Sequence, residues 1–279
     1  MWAFIDLSDI LTDFGEHTEA RKLLEECLAL CRKIGNQWGT AHSLDELGLV
    51  ALAAGDYAEA KRLFEESLAI LKEINERWGI AIVINDLGLV ATKIGEYAEA
   101  KRLLQESLAA FREIGDREGK VFSLINLSTA LLGLGEHGAA RQLLQESLTM
   151  CTEAGDRLGI ARALKNLGLA ALAMADDSEA ARCFHEALKT AMDIRALPVA
   201  LDVLVEMASL AWRAGDNRRA IELLALTLHH PASSRETRDK AERVLAQLAA
   251  QPRPDAVAPA QEREKPRALE EIVEEILGR

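Results

Sequence analysis

Histidine and cysteine are the side chains most often used for chemistry, and the chain has six of the first and four of the second. An active site needs such groups to converge with a partner base, acid or metal ligand. His17 and His137 occupy the position that Tyr57 and Tyr97 hold in related segments, so we predict packing roles for both. Three more lie at an exposed position or at the end of a helix: His185, His229 and His230. We therefore expect no catalysis, no cofactor and no metal.

The cysteines are too few for a disulfide framework, and their positions favour packing. Cys27 and Cys31 lie four residues apart, on one face of a predicted helix, which would suit two metal ligands. No second pair of ligands accompanies them in the sequence. Cys183 replaces a leucine of the other copies of its segment. We predict that these thiols are structural.

These residues belong to a repeat of forty residues. The segment 55–74 returns as 95–114 with fourteen of its twenty positions identical. Further copies begin at Gly15 and Gly135, and weaker ones at Ala175 and Gly215. A fixed period in this range indicates a solenoid of stacked helical units.

Each repeat is predicted to form two antiparallel helices. In the second copy, apolar residues recur at helical spacing over about 38–54 and 56–72. Gly55 between them would supply a left-handed helix end, and Asp56 with Glu59 resembles a capping box. The same pattern predicts helix pairs at about 78–113, 118–153, 158–193 and, more loosely, 198–229.

The joint between the last two helix pairs lacks glycine at Ile194–Pro198, so we expect its geometry to differ. A further helix, richer in charge, follows Pro231 and would cap the last apolar face. We predict three regions: a solenoid of about six helix pairs plus this cap over 1–250, a proline-rich flexible linker over 251–266, and a short amphipathic helix over 267–279.

The predicted C-terminal helix carries apolar residues on one face. So short a helix is marginally stable alone and is expected to dock in a groove. Its docking residues would be Leu269, Ile272, Val273 and Ile276.

Composition narrows the classes of function. A formal charge of −12 argues against nucleic-acid binding, because a phosphate backbone requires a basic surface. No apolar run approaches the about 18 residues that a membrane helix needs. Residues 1–7 lack the basic start of a signal peptide and already contain an acid. We expect a cytoplasmic protein that binds neither nucleic acid nor membrane.

The residues that recur at set offsets carry a family resemblance. In the second copy they are Leu44, Leu47, Gly48 and Ala51, then Gly55, Tyr57, Ala60 and Phe64. This pattern resembles the tetratricopeptide repeat (TPR), and the forty-residue length is similar to its long variant in kinesin light chain and in bacterial regulators. Ile-Gly-Asp-Arg-x-Gly looks similar to the C-terminal repeats of bacterial signal-transducing ATPases and maltose-regulator-like activators. The copy at 198–229 departs, with Met207-Ala208 replacing Leu-Gly.

The resemblance implies an all-α, right-handed α-solenoid of antiparallel helix pairs, the TPR superhelix, whose first helices line a concave groove. Groove positions differ between the copies while packing positions do not. The partner-binding residues implied are His42, Asp45, Glu46, Asn85, Asp86, Lys93, Phe122, Asn126, Arg162, Lys165, Asn166 and Arg213. The groove would be acidic early, around Asp45, and basic late, around Arg162, which favours a partner with a basic and an acidic end.

The sequence therefore predicts a non-enzymatic scaffold that binds a protein or peptide in this groove. Its setting would be the sensor or partner-binding segment of a bacterial signalling or regulatory protein. Two alternatives remain open. One is a self-assembling, homo-oligomeric scaffold, and the other is an autoinhibited module whose C-terminal helix lies in its own groove.

Overall fold

The computed structural model describes residues 17–250 and 268–278. Within these ranges all regular secondary structure is α-helical, which confirms the all-α fold class. None of the helices there is both long and apolar enough to cross a membrane. The predicted linker at 251–266 and the N-terminal residues 1–16 lie outside the described residues.

Eleven of the described helices alternate along the chain as second and first members of helix pairs. The first helices are α2 (Gln37–Ala53), α4 (Arg77–Lys93), α6 (Arg117–Gly133), α8 (Arg157–Ala173) and α10 (Leu197–Arg213). The second helices are α1 (His17–Lys33), α3 (Tyr57–Glu73), α5 (Tyr97–Ile114), α7 (His137–Ala154), α9 (Asp177–Asp193) and α11 (Asn217–His229). The charged cap is α12 (Arg235–Ala249), and the C-terminal helix is α13 (Leu269–Leu277). The helix pairs predicted from the sequence are confirmed to within a few residues.

The chain divides into two compact units, residues 1–143 and residues 144–279, with the boundary inside α7. In the first unit α1 to α6 pack in succession, and α4 also contacts the first helices α2 and α6. In the second unit α8 to α12 pack in succession, and α10 also contacts α8 and α12. The first helices of each unit therefore lie side by side.

Three helix pairs are held by a close approach at a glycine of the first helix, namely Gly48, Gly88 and Gly168. Ser128 and Ala208 stand at the equivalent positions of α6 and α10. A Cβ atom at Gly48 would lie 2.5 Å from the ring of Phe64, and one at Gly168 would lie 2.4 Å from the ring of Phe184. Both phenylalanines are fully buried. A large side chain on the second helix thus fills the space that the glycine leaves, and this contact fixes the rotation of the first helix.

A second contact joins the same two helices. Ser67 Oγ donates to the Ala41 carbonyl at 2.7 Å, and Ser107 Oγ donates to the Ala81 carbonyl at 2.8 Å. Cys27 holds the equivalent position in the first copy, where Ser43 Oγ donates to its sulfur at 3.5 Å.

The cysteines are packing residues, as predicted. The described residues hold all of them as buried, free thiols: Cys27, Cys31, Cys151 and Cys183. Burial raises the pKa of the Cys183 thiol to about 11, with the nearby Glu179 carboxylate adding to the effect. A thiol with a raised pKa is a poor nucleophile at neutral pH.

Helix starts and ends follow the repeat closely. The side chain of Asp56 accepts a hydrogen bond from the Glu59 amide at 3.2 Å, which confirms the helix cap. The reciprocal bond of a capping box is not formed, because the Asp56 amide donates to the Ala51 carbonyl and the Glu59 carboxylate accepts from Arg62. Gly55 ends α2 with φ of 79°. The expectation that the joint before α10 would differ is wrong, because Arg195 adopts the same left-handed conformation, with φ of 58°. Ala175 does so too, with φ of 59°.

The local cost of these two residues is outweighed by the packing of the helices on either side. A left-handed conformation costs an L-residue about 1–2 kcal/mol. The neighbours α8, α9 and α10 bury a continuous apolar core in the second unit, and they keep the turn in place.

The C-terminal helix α13 packs on the second unit. Three of its apolar residues are buried and the fourth is half-buried: Leu269, Ile272, Val273 and, half-buried, Ile276. The helix contacts α9, and Glu275 pairs with Arg219 of α11 at 3.3 Å. Because α9 and α11 are second helices, this position differs from the alternative in which the tail lies in the groove of the first helices.

Replacing Ala175 by glycine is expected to stabilise the protein by about 0.5–1 kcal/mol, because glycine tolerates a positive φ. Urea denaturation measures the change. The matched control is Ala181→Gly in the middle of α9, where the side chain is exposed and the same substitution should cost about 1 kcal/mol. Equal losses at both positions would contradict the left-handed turn at Ala175.

Replacing Ile272 by alanine is expected to release α13, because the buried side chain anchors a helix too short to persist alone. Hydrogen–deuterium exchange of the α13 amides should then approach the rate of an unfolded peptide. Ile276→Ala, the same change at a half-buried position, should have a smaller effect. Unchanged exchange in the Ile272→Ala protein would show that this contact does not hold the helix.

Candidate functional site

The first helix α2 presents three polar residues on one face. His42, Asp45 and Glu46 follow the spacing i, i+3, i+4, which places them together on a helix surface. The opposite face of α2 packs on α3 through Gly48 and its neighbours. The packing therefore directs these three side chains away from the core of the helix pair.

Asp45 is the most unusual of the three. Its side chain is only 4% exposed, and its Oδ1 atom has no hydrogen-bond partner. Burial raises the pKa of the Asp45 carboxyl well above its usual range, and the charge of Asp86 on α4 raises it further. Burial also raises the pKa of Asp86 to about 8, with Glu46 adding to the shift. Three carboxyl groups therefore crowd into a poorly solvated space between α2 and α4.

His42 borders this group. Its Nε2 atom lies 4.0 Å from Glu46 Oε1, and its ring stacks on Trp38 with the ring centroids 5.2 Å apart. One potential ligand atom from each of His42, Asp45 and Glu46 lies within 4.8 Å of the other two. Such a set could hold a cation. From the sequence we expected no metal site, and the signal that points to one is the i, i+3, i+4 spacing.

The next two first helices are joined by amides and hydroxyls. Asn85 Nδ2 donates to Ser123 Oγ at 2.9 Å, and Asn126 Nδ2 donates to Asn85 Oδ1 at 2.7 Å. Ser123 Oγ also lies 3.1 Å from Ser107 Oγ of α5. Asn85 is therefore buried and holds α4 and α6 together both as a donor and as an acceptor, whereas Asn126 is half-buried at the surface.

Two further predicted residues of the first unit lie at its surface. Phe122 on α6 is 45% exposed, which is unusual for so large an apolar side chain. Lys93 is half-buried at the end of α4.

In the second unit the predicted basic residues are paired. Lys165 of α8 forms an ion pair with Asp202 of α10. Glu206, which is 3% exposed, forms an ion pair with Lys240 of the cap α12. Burial raises the pKa of the Glu206 carboxyl, and the charge of Lys240 opposes that shift. Asp202 and Lys240 were not among the predicted site residues, because nothing in the sequence shows which distant charge each one meets.

The other predicted residues of the second unit have different surroundings. Arg213 pairs with Asp177 at 2.9 Å and donates to the Leu172 carbonyl at 3.3 Å, so it ties the end of α8 to the start of α9. Asn166 is buried, and Arg162 is exposed. Arg162 is therefore an exposed cation on α8, at the end of the groove that the sequence predicts to be basic.

The outward faces of the second helices carry a repeated set of charges. Arg62 donates to Glu59 at 2.8 Å and to Glu66 at 3.2 Å, all within α3. Equivalent triplets recur within α5 and α9, centred on Arg102 and Arg182. Such exposed pairs within one helix contribute little stability and describe a solvated surface.

Comparison with known proteins identifies the family of the chain. The model described as "Tetratricopeptide repeat" matches residues 1–73, 79–153 and 134–193. No curated protein sequence matches the chain.

Several solved structures share the fold. The apo form of RapI is 17% identical, with 86% of this chain and 83% of that chain covered and a TM-score of 0.67. The Rap conjugation gene regulator of the plasmid pLS20, in complex with the Phr* peptide, is 16% identical over 82% of this chain and 64% of that one, with a TM-score of 0.68. A signal transduction ATPase with numerous domains and a tetratricopeptide repeat sensor, from Pyrococcus horikoshii, is 16% identical with a TM-score of 0.58. It aligns with 88% of this chain, which spans 37% of that protein.

At these identities the structural likeness shows the fold. The family model covers more than half of the sequence, and the helix pairs with their Leu-Gly positions agree with it. This chain belongs to the tetratricopeptide repeat family.

Proposed function

We propose that this chain is a non-enzymatic scaffold that binds a protein or peptide through the surface of its first helices. We further propose that it serves as the sensor or partner-binding segment of a bacterial signalling or regulatory protein in the cytoplasm. In each unit, the predicted site residues on the first helices would form part of the binding surface.

The observation that carries the proposal is a contrast between the two kinds of helix. Three of the second helices repeat the same outward set of charges, in which one arginine pairs with two glutamates of its own helix. The first helices differ from copy to copy, and they bury polar groups that their own helix does not satisfy, such as Asp45 and Asn85. Polar groups of that kind lower stability unless something else compensates for them.

Phe122 and Arg162 supply the side chains that protein interfaces use most. Aromatic and arginine residues carry a large share of binding energy when a partner covers them. Phe122 is exposed on α6, and Asn126 lies four residues further on the same face. Within the first unit this pairs an apolar anchor with a polar amide, which suits the side chains and backbone of an extended peptide.

Several proteins of the same fold are known with peptide or protein ligands. The Rap regulator of plasmid pLS20 was solved with the Phr* peptide, and another Rap protein was solved with competence and sporulation factor. The Pyrococcus protein carries its tetratricopeptide repeats as a sensor. These likenesses support the proposed class of function.

The two alternatives have less support from the described residues. The apolar face of α13 is covered by the second unit of its own chain, which argues against a role in joining two copies. The same helix contacts the second helix α9, so it leaves the first helices to a partner.

A peptide selection tests this function. Peptides chosen from a random display library for binding to the whole chain should bind the Phe122→Ser protein about tenfold or more weakly, because the substitution removes an aromatic anchor. Affinity is measured by fluorescence polarisation with the selected peptides. Arg162→Glu should weaken the binding of acidic peptides that contact α8.

The matched control is Leu30→Ser, which removes an apolar side chain that is 52% exposed on the second helix α1. It should leave peptide affinity unchanged. Peptides that bind the Phe122→Ser and Arg162→Glu proteins as tightly as the wild type, but lose affinity for Leu30→Ser, would contradict the assignment to the first helices.

A further inference from the structure

We propose that His42, Asp45 and Glu46 of α2, with Asp86 of α4 beside them, form a binding site for a divalent metal ion of the Mn²⁺ or Zn²⁺ type. This site goes beyond the proposed scaffold function and does not depend on it. It lies wholly within the first unit.

The three side chains already have the spacing that a metal ion needs. Their ligand atoms lie within 4.8 Å of one another. Ligands bound to one ion at about 2.0–2.2 Å are separated by roughly 3–4 Å, so small side-chain rotations would complete the coordination. The residues stand on one rigid helix, whose position is fixed by the contact of Gly48 with Phe64.

A second observation, independent of this clustering, indicates a missing ligand. Asp45 Oδ1 is buried and has no hydrogen-bond partner, which is rare for a carboxylate in a folded protein. The equivalent residue of the next copy is Asn85, which bonds to both Ser123 and Asn126. The position equivalent to Ser123 beside Asp45 holds the apolar Val83, so Asp45 has no hydroxyl partner there.

The second partner of Asn85 also has a different counterpart beside Asp45. Asn85 accepts a hydrogen bond from the amide of Asn126, and the position equivalent to Asn126 beside Asp45 holds the carboxyl group of Asp86. Asp45 therefore faces a second acid rather than a donor, and a cation between them would neutralise both. The copy with Asp45 therefore has a set of potential metal ligands where the next copy has a hydrogen-bond network.

His42 selects the class of ion. The imidazole nitrogen suits Zn²⁺, and the two or three carboxylate oxygens also suit Mn²⁺, whereas Ca²⁺ prefers oxygen ligands alone. The stacking of Trp38 on the imidazole restricts the orientation of the ring and keeps Nε2 towards Glu46.

Metal titration of the untagged, metal-stripped whole chain tests the site. MnCl₂ titrated with electron paramagnetic resonance detection, and ZnCl₂ titrated by calorimetry, should each show one saturable site per chain in the wild type. The double variant His42→Ile with Asp45→Asn should bind both ions about tenfold or more weakly. It carries the residues that the next copy holds at these positions, Ile82 and Asn85.

Two further variants keep the result interpretable. Asp45→Asn alone changes one group with almost no change of shape, and it should also weaken metal binding. It replaces the double variant as the test if circular dichroism shows the double variant to be poorly folded. The matched control is His185→Gln, which removes a histidine from α9 and introduces the residue present at Gln105 and Gln145. It should bind as the wild type does.

The spectrum of the bound ion gives a second readout. Mn²⁺ bound to the wild type should show electron-spin-echo modulation from one imidazole nitrogen, and His42→Ile should abolish it. Absence of saturable binding of both ions in the wild type would overturn the proposal. Binding that Asp45→Asn leaves unchanged would overturn it as well.

Discussion

In three of the helix pairs, the close contact between a glycine of the first helix and a large side chain of the second helix is the constraint on which the pair depends. At Gly48 a single added Cβ would meet the Phe64 ring at 2.5 Å, so the two helix backbones can approach only because that atom is absent. The contact buries the phenylalanine fully and fixes how the first helix is rotated. The face opposite the glycine is consequently turned away from the pair, and it is the face on which the copies differ.

This separation explains how one scaffold can carry different chemistry in each copy. The packing positions are occupied by apolar residues or by Ser67 and Ser107, which bond to the neighbouring helix. The outward positions of the first helices are under no such requirement. Asn85 and Asn126 of α4 and α6 form a hydrogen-bonded amide network, whereas Asp45 of α2 has a buried carboxyl oxygen, Oδ1, without a hydrogen-bond partner. Residues that weaken the fold in this way are expected where function requires them.

Much of the architecture could be predicted from the sequence, since the forty-residue period, the helix ends and the cap at Asp56 all follow from local rules. The turn at Arg195 could not, because packing across several helices outweighs the local preference for glycine. The ion pairs of Lys165 with Asp202 and of Glu206 with Lys240 join residues 37 and 34 positions apart. Side-chain orientation decides such pairs, and neither spacing nor composition reveals them. Spacing and composition also do not reveal that α13 packs against the second helix α9.

The central claim is that Asp45 serves a ligand at the expense of stability. The free energy of unfolding of Asp45→Asn, measured by urea denaturation in metal-free buffer at neutral pH, tests it most directly. We expect the Asp45→Asn protein to be more stable than the wild type by about 1 kcal/mol or more, because the substitution removes a buried carboxyl group whose Oδ1 atom has no hydrogen-bond partner and introduces the amide present in the next copy. An Asp45→Asn protein less stable than the wild type would show that the carboxyl group supports the fold, and it would contradict this role of Asp45.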